Sequence, residues 1–503
     1  MAAGGINAVL RDCEVGDSIA SHIDDTMNGG RGIAGKQAVK SLCEHAPDVL
    51  EYLERIGTVF TLDSDGTLAR RAFGGQSYRR TCYCGSSTGK QIVSALVMEV
   101  RRFEARGLIQ RRFWGCFHSA LIKDGRCYGA MLYDEASGNL VLERADALVV
   151  ATGGQNALFG KTTGSTQCDG YAAGKLFMQG VDLKNLEFIQ YHPTTIETPQ
   201  KRMLISEAVR GEGGRLFYLD GGERVYFMEE KYGSKGNLMP RDIVSQEIEA
   251  TGREVFLDAA CLGKRVIDER LPEVMDICQT YRGIDIAKEP IPVAPSVHFF
   301  MGGIAVDNKH ETNIENLFAI GECASIYHGA NRLGGNSLLS AVYSGWVAAD
   351  AIAGRELSGA APDFSAMLSE ESEKLARMRA SESKFPAMYM RDLLAKTMNE
   401  KLGIVRDEEM LAEGIADVDY YLSIVDKISY DPSVMMYVNY SLPGILALAK
   451  ATLSCARQRR ESRGAHFRSD YPAALDSCGF ASIVSYDDGE CRVWLDKDGR
   501  YER

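Results

Sequence analysis

Two stretches of this sequence share one pattern, in which a short apolar run leads into glycine. The first, ALVVATGG, spans 147–154, and the second, LFAIGE, spans 317–322. A continuous apolar run of this kind is typical of a parallel strand buried on both faces, and a glycine lets a ligand approach the backbone closely. The repeated pattern therefore favours an α/β fold in which both strands end at one shared ligand.

The second stretch continues through His328, Asn331 and Arg332 into an amphipathic segment that predicts a helix, with Asn336 or Ser337 as its N-cap. The free N–H groups and the positive dipole end of a helix attract negative charge, so this order is typical of a cofactor site. Taken alone, the stretch is equally compatible with an ordinary loop in an α/β core.

Composition narrows the class of protein. The 69 acidic and 57 basic side chains give a net charge of −12, which argues against nucleic acid as the main partner. The sequence has no run of about 18 apolar residues and no signal peptide, which predicts a cytoplasmic protein. The 13 cysteines are odd in number and scattered, which predicts packed, reduced thiols and no metal site.

Hydrophobic periodicity predicts the elements before the first glycine run. One helix is expected over residues 35–57, and a second helix is expected with Ile92, Leu96, Val100 and Phe103 as its core stripe.

Further along, residues 119–142 alternate in polarity around two turn sequences and predict a three-stranded antiparallel meander. The long amphipathic segments after Gly354 predict a helical domain, and the tail from Ser462 predicts a small β unit.

Polar side chains that suit catalysis concentrate between residues 186 and 241, a segment expected to form a smaller inserted domain. They are His192, Glu207, Arg210, Glu212 and Arg241. For any one of them, a solvated or ion-paired side chain is the ordinary explanation, so the cluster rather than a single residue suggests a site.

Nine short motifs occur together and in order along nearly the whole chain: GGINA, ATGG, EFIQYHPT, SEAVRGEGG, PRDIVSQ, HFFMGGI, GEC, HGANRLGGNSLL and RRESRGAH. Each is weak alone, but the ordered set resembles the flavoprotein subunit of succinate dehydrogenase and fumarate reductase. The resemblance implies a multidomain α/β and α+β fold: a Rossmann-like FAD-binding domain split into 1–184 and 297–355, a capping domain 185–296, a helical domain 356–460 and a C-terminal domain 461–503.

The resemblance also implies roles for individual residues. Those expected to bind FAD are Gly4, Gly5, Ala151, Thr152, Gly153, Gly154, Asp169, Glu322, Ser337 and Leu338. Those expected to bind a C4 dicarboxylate, fumarate or succinate, are His192, Ser206, His298 and Arg332. Arg241 would donate the proton, and Glu207 and Arg210 would form the relay that restores it.

Members of this family begin with a strand, a G-x-G-x-x-G turn and a helix, and this sequence lacks that unit before Gly4. The FAD-binding domain is therefore expected to be truncated at its N-terminus. The histidine that often bonds FAD covalently would lie upstream of Met1, so no covalent link is predicted or excluded.

The function implied is interconversion of fumarate and succinate, with hydride from flavin N5 and a proton from an arginine. The expected partner is an iron–sulfur subunit, and through it a membrane anchor would place the protein at the cytoplasmic face of the membrane. Two alternatives stay open. L-Aspartate oxidase shares the ANR and SRG motifs, although HFFMGGI and SRGAH favour the dehydrogenase and reductase, and a truncated, non-catalytic flavoprotein remnant is the other.

Overall fold

The computed structural model describes residues 4–85, 87–355, 362–381, 385–428 and 430–501. Its strands are β1 Ile6–Asn7, β2 Arg70–Arg71, β3 Thr81–Cys82, β4 Gly115–Lys123, β5 Arg126–Asp134, β6 Asn139–Arg144, β7 Leu148–Val150, β8 Leu183–Lys184, β9 Ile189–Glu197, β10 Arg202–Leu204, β11 Arg215–Asp220, β12 Glu223–Val225, β13 Val255–Asp258, β14 Ile291–Phe300, β15 Gly303–Ala305, β16 Leu317–Ala319, β17 Ala324–Ser325, β18 Val405–Arg406, β19 Phe467–Arg468, β20 Ser482–Asp487 and β21 Glu490–Leu495.

The helices are α1 Ile19–Gly29, α2 Lys36–Glu44, α3 Ala46–Arg55, α4 Thr88–Ala105, α5 Tyr171–Met178, α6 Ala208–Gly211, α7 Phe227–Tyr232, α8 Arg241–Ala250, α9 Lys264–Arg270, α10 Pro272–Arg282, α11 Asn336–Ala353, α12 Ser365–Arg379, α13 Ala387–Lys401, α14 Glu408–Ile424, α15 Met436–Tyr440 and α16 Leu442–Gln458. Within the described ranges, none of them is long and apolar enough to cross a membrane.

Several predicted elements are confirmed. Strands β4, β5 and β6 form the antiparallel meander, and the four long segments after residue 361 form α12, α13, α14 and α16. The predicted C-terminal β unit is the hairpin β20–β21, which joins a sheet of order β17-β15-β8-β20-β21.

The site depends on an antiparallel sheet of order β10-β9-β14-β13-β11-β12. Its residues contribute to a separate hydrophobic core, which is built only from side chains between Ile196 and Val293. This core falls inside the predicted capping segment 185–296, while the exact domain boundaries stay a prediction.

The expectation that residues 147–151 form a strand buried on both faces is wrong. Strand β7 pairs in parallel with β16 and with no other strand in the described part of the chain. Val149 keeps 39% of its surface exposed, so the strand is not buried on both faces. The apolar run identified the strand, but a sequence does not reveal what packs on each of its faces.

Two helix predictions also need correction. The segment 35–57 forms two helices, α2 and α3, because Pro47 at the start of α3 has no N–H to continue a helix from α2. In α4, Ile92 and Ala95 are buried, whereas Val100 and Phe103 are 41% and 39% exposed. Helical spacing defined an apolar face there without showing what packs on it.

The N-cap predicted for α11 is wrong by one residue. The cap is Gly335 in the left-handed conformation, with φ of 84° and no side-chain capping bond. The Asn336 side chain is used elsewhere: its Oδ1 accepts from Asn7 Nδ2 at 2.7 Å and its Nδ2 donates to Thr26 Oγ1 at 3.0 Å. These bonds tie β1 and α1 to the start of α11.

Candidate active site

Two arginines converge on one carboxamide, that of Gln190 on β9. Gln190 Oε1 accepts hydrogen bonds from Arg241 Nη1 at 3.1 Å and from Arg332 Nη2 at 2.9 Å. Gln190 Nε2 donates to Asn331 Oδ1 and to the Arg332 carbonyl oxygen, both at 2.8 Å. Because Gln190 is fully buried, it holds two like charges side by side at a fixed separation.

The two arginines come from different parts of the fold. Arg241 is the first residue of α8 and follows Pro240, whose extended backbone ends the preceding loop. Arg332 lies in the polar loop between β17 and α11, and its guanidinium stacks 4.1 Å from the ring centroid of Phe299. Burial, and then the nearby Arg241 charge, lower the pKa of Arg332.

The predicted relay residues are partly connected. Glu207 Oε2 accepts from Arg241 Nε at 2.9 Å, and Glu207 Oε1 accepts from the Gly74 backbone N–H at 3.0 Å. Arg210 Nη2 lies 3.9 Å from Glu207 Oε1, which is an ion-pair distance rather than a hydrogen bond. The Arg210 Nε and Nη2 atoms are buried and have no hydrogen-bond partner among the described residues.

Glu207 is a carboxylate despite its position in the interior. Burial by itself would raise the pKa of Glu207, but the Arg241 and Arg210 charges outweigh burial and the net pKa is lowered. The ion pair therefore keeps Glu207 negative at neutral pH.

His192 and His298 lie on the neighbouring strands β9 and β14, with ring centroids 5.2 Å apart in an edge-to-face contact. His192 Nδ1 is 3.1 Å from the Thr194 carbonyl oxygen, and His298 Nδ1 is 2.8 Å from Thr163 Oγ1. Burial, followed by repulsion from Arg241, holds the pKa of both histidines well below 6.5. Both are neutral at pH 7, so positive charge for a carboxylate comes from the arginines.

A cavity of about 190 Å³ opens between the two arginines, and its wall includes Arg241, Arg332, Arg31, Gly74 and Gly75. The wall, so far as described residues form it, does not include His192, His298 or Ser206. Ser206 is half-buried next to Glu207, and its Oγ accepts from the Ala208 N–H at 3.2 Å.

The glycines and acid predicted to hold FAD do meet in space. Gly153 has a left-handed φ of 73°, and a Cβ atom on Gly154 would lie 2.6 Å from Glu322 Oε1. Glu322 Oε1 accepts from the Phe300 N–H at 3.1 Å, while burial raises the pKa of Glu322 to about 7. Glu322 Oε2 accepts no bond from a described residue, so this carboxyl suits the hydroxyls of a nucleotide sugar. Ala151 and Thr152 are exposed beside it.

The N-terminus of α11 suits the same ligand. Ser337 and Leu338 are half-buried in its first turn, and no side chain caps it. The N–H groups of that turn are thus available to a cofactor. The other two predicted glycines pack against the protein itself, Gly4 on the Phe73 ring and Gly5 on the Cys82 carbonyl. This packing is enough to explain why glycine stands at both positions, so it gives no separate support for a cofactor contact.

Asp169 differs from the other predicted cofactor residues. Its Oδ1 accepts from Tyr437 OH at 2.7 Å and from the Tyr171 N–H at 3.0 Å, and its Oδ2 accepts from Arg391 Nη2 at 3.1 Å. Its carboxylate joins α5 to the helical segment, and a cofactor role for it stays a prediction.

Gln190 and Arg31 are the site residues that the sequence analysis missed. Gln190 stands inside the motif EFIQYHPT two residues before His192, which is the one signal that could have found it. Arg31 lies in the glycine-rich loop NGGRG, which matched none of the nine motifs.

Known proteins match this chain along most of its length. Residues 1–338 match the FAD binding domain family, and residues 391–495 match the fumarate reductase flavoprotein C-terminal family. The chain is 36% identical over 499 residues to the succinate dehydrogenase flavoprotein subunit of Bacillus subtilis, covering 94% of this chain and 85% of the relative.

Two further similarities extend this result. The chain is 33% identical over 506 residues to the fumarate reductase flavoprotein subunit of Haemophilus influenzae, covering 93% of this chain and 82% of that one. A solved quinol-fumarate reductase with menaquinol superposes with a TM-score of 0.90 at 30% identity, covering 98% and 90% of the two chains. The chain therefore belongs to the flavoprotein family of succinate dehydrogenase and fumarate reductase, and it is an FAD-dependent oxidoreductase.

Proposed function

We propose that this protein interconverts fumarate and succinate and that Arg241 carries the proton. The observation that carries the proposal is the Gln190-bridged pair of Arg241 and Arg332, which opens into one small cavity. Bound FAD would supply or accept the hydride.

Substrate binding needs charge complementarity at both ends of a dicarboxylate. The Arg332 guanidinium can hold one carboxylate through two parallel hydrogen bonds, because its planar fork matches a carboxylate. His192 and His298, being neutral, contribute polar contacts rather than positive charge. Because Arg332 and the histidines hold the carboxylates, Arg241 can face the reacting carbon atoms.

Proton transfer from Arg241 is supported by its bond to Glu207. An arginine remains protonated at neutral pH, so it always has a proton to donate to a developing carbanion. Glu207, 2.9 Å away, can pass a proton to Arg241 once it has received one from Arg210. The 3.9 Å gap to Arg210 has to close, or to hold a water, before the relay is continuous.

We further propose that electrons reach the FAD from an iron–sulfur subunit, itself attached to a membrane anchor. Similarity to proteins described as flavoprotein subunits supports this arrangement. A nucleic-acid partner is not part of the proposal, given the net charge of −12.

The test is turnover by the FAD-loaded protein with reduced viologen as electron donor. Fumarate should be reduced to succinate, and L-aspartate should not be oxidised. Oxidation of L-aspartate to iminoaspartate faster than fumarate reduction would identify an L-aspartate oxidase instead. Tight FAD binding with turnover of neither substrate would identify a non-catalytic flavoprotein.

A further inference from the structure

The cavity carries a third arginine that the proposed chemistry does not use. Arg31 lies in the loop between α1 and α2 and forms part of the cavity wall with Arg241 and Arg332. Its side chain is 42% exposed, whereas that of Arg241 is 11% exposed. Arg31 is therefore at the outer end of the cavity, where an incoming anion meets it first.

The backbone of Arg31 is strained and fixed. Its φ of 52° is left-handed, a conformation that glycine adopts at lower cost than arginine. The Arg31 N–H donates to the Asn28 carbonyl oxygen at 3.1 Å, and the Arg31 carbonyl accepts from Arg463 Nη1 at 3.1 Å. Strain that neighbouring contacts maintain is typical of functional positions. These backbone contacts therefore fix the position from which the Arg31 side chain extends.

The guanidinium itself has spare donors. It makes no hydrogen bond to any residue in the described ranges, and its ion-pair partner, Asp242 Oδ2, lies 3.8 Å from Nη2. An arginine has five N–H donors in a planar fork, a match for a carboxylate. Three guanidinium groups thus surround one small cavity of a chain whose net charge is −12.

We propose that Arg31 is the entrance residue of this cavity and makes it selective for dianions over monoanions. A cation at the mouth raises the local concentration of dianions and gives their second carboxylate a partner. The proposal rests on the proposed function only for the identity of the natural substrate, because any small dicarboxylate would pass the same residue.

The test measures binding without turnover. The FAD-loaded protein is titrated with malonate, a dicarboxylate, and with acetate, and the flavin absorbance reports binding at several salt concentrations. Arg31→Gly should weaken malonate binding about tenfold and flatten its salt dependence, with acetate binding changed less than about twofold. Arg31→Lys, which keeps the charge, should recover most of the malonate affinity. The control is the exchange of the exposed Arg101 on α4 for glutamine, which should leave the affinity for both malonate and acetate unchanged.

Loss of affinity through misfolding is excluded by the choice of glycine, which relieves the left-handed strain and should leave the melting temperature unchanged or higher. Malonate affinity of Arg31→Gly within about twofold of wild type at low salt would overturn the proposal, and so would failure of malonate to bind the wild-type protein. Absence of fumarate turnover would overturn the proposed function but not this one, since the titration does not require turnover.

Discussion

At the scale of single residues, the site depends on how two positive charges are kept together. Arg241 and Arg332 repel each other, and Gln190 Oε1 is the acceptor that both share. A neutral acceptor stabilises the pair without adding negative charge, so Arg332 keeps its charge for a substrate while Arg241 is paired with Glu207. A carboxylate at the same position would compete with the substrate instead.

We therefore expect Gln190→Leu to separate the arginines and weaken dicarboxylate binding. Hydrogen bonds to charged groups are worth about 1.5–3 kcal/mol, so the KM for fumarate should rise by about 10- to 100-fold. Gln190→Glu should also lose binding while gaining stability, because its carboxylate pairs with both arginines. Wild-type malonate affinity in either variant would show that Gln190 does not position the pair.

The neutral state of the two site histidines leads to a prediction about the pH dependence of substrate binding. Because the pKa of each histidine lies well below 6.5, both stay neutral when a dianion binds, so the affinity for malonate should change little as the pH falls from 8 to 6.5. Calorimetry in buffers of different ionisation enthalpy should accordingly show little proton uptake on binding. His298→Ala should reduce the affinity without changing its pH dependence, and an affinity that rises steeply as the pH falls over this range would contradict the assignment.

The motifs predicted which side chains lie close together, while the roles of those side chains stay predictions. Arg241, Glu207 and Arg332 fall at one site as expected, because their motifs converge in the fold. Gln190 and Arg31 were missed because neither is chemically unusual by itself. The sequence also could not show that burial keeps His192 and His298 neutral.

At the scale of elements, the junction of β1 with α11 shapes the cofactor end of the site. The Asn7 N–H donates to the Gly335 carbonyl at 3.3 Å, and Asn7 Nδ2 donates to the Gly334 carbonyl at 2.8 Å. Helical periodicity predicted α11, but neither strand β1 nor this contact was predicted. The left-handed cap was missed because Asn336, a common N-cap residue, is used for tertiary bonds instead.

Gly335→Ala should accordingly be destabilising. Its φ is 84°, and a Cβ atom there would lie 2.1 Å from Asn7 Oδ1, so we expect a loss of more than about 1 kcal/mol in the free energy of unfolding. FAD affinity should fall as well, because the first turn of α11 must shift. Urea unfolding and flavin titration measure the two effects.

The matched control lies in the same helix. A Cβ atom on Gly345 would approach Ile320 Cδ1 only to 3.9 Å, so Gly345→Ala should stabilise the protein by about 0.5–1 kcal/mol. Equal effects of the two substitutions would contradict the role given to the Gly335 cap.

At the scale of the whole molecule, the histidines make the fold sensitive to acid. Of the eight histidines in the sequence, seven have a pKa lowered chiefly by burial: His22, His118, His192, His298, His310, His328 and His466. In each case the unfolded chain binds a proton that the folded chain does not, once the pH falls below 6.5. Stability is therefore intact above that pH and is lost as the pH falls towards 4.

For His118, whose pKa is lowered to about 4, the cost at pH 5 is roughly 2 kcal/mol. We expect the free energy of unfolding, measured with urea, to fall steeply between pH 6.5 and pH 5. His118→Asn should make that slope shallower, whereas exchange of the exposed His45 for asparagine should not. A stability that is constant over this range would contradict the burial of neutral histidines.

The overall architecture was predictable because its segments are long and periodic. The α/β class, the meander and the helical segments follow from local pattern, while the exposed face of α4 and the single pairing of β7 do not. Those two features depend on what lies beside an element, and a local pattern contains no information about that neighbour.

The central claim is that Arg241 delivers the proton to the substrate. The direct measurement is a single turnover, in which reduced FAD-loaded protein is mixed with fumarate and flavin reoxidation is followed in wild type and in Arg241→Lys. Removing a general acid costs about 10²- to 10⁴-fold, so the variant should lose at least about 10²-fold in rate while its malonate affinity changes by less than about threefold. Reoxidation within about tenfold of wild type would show that another group is the acid.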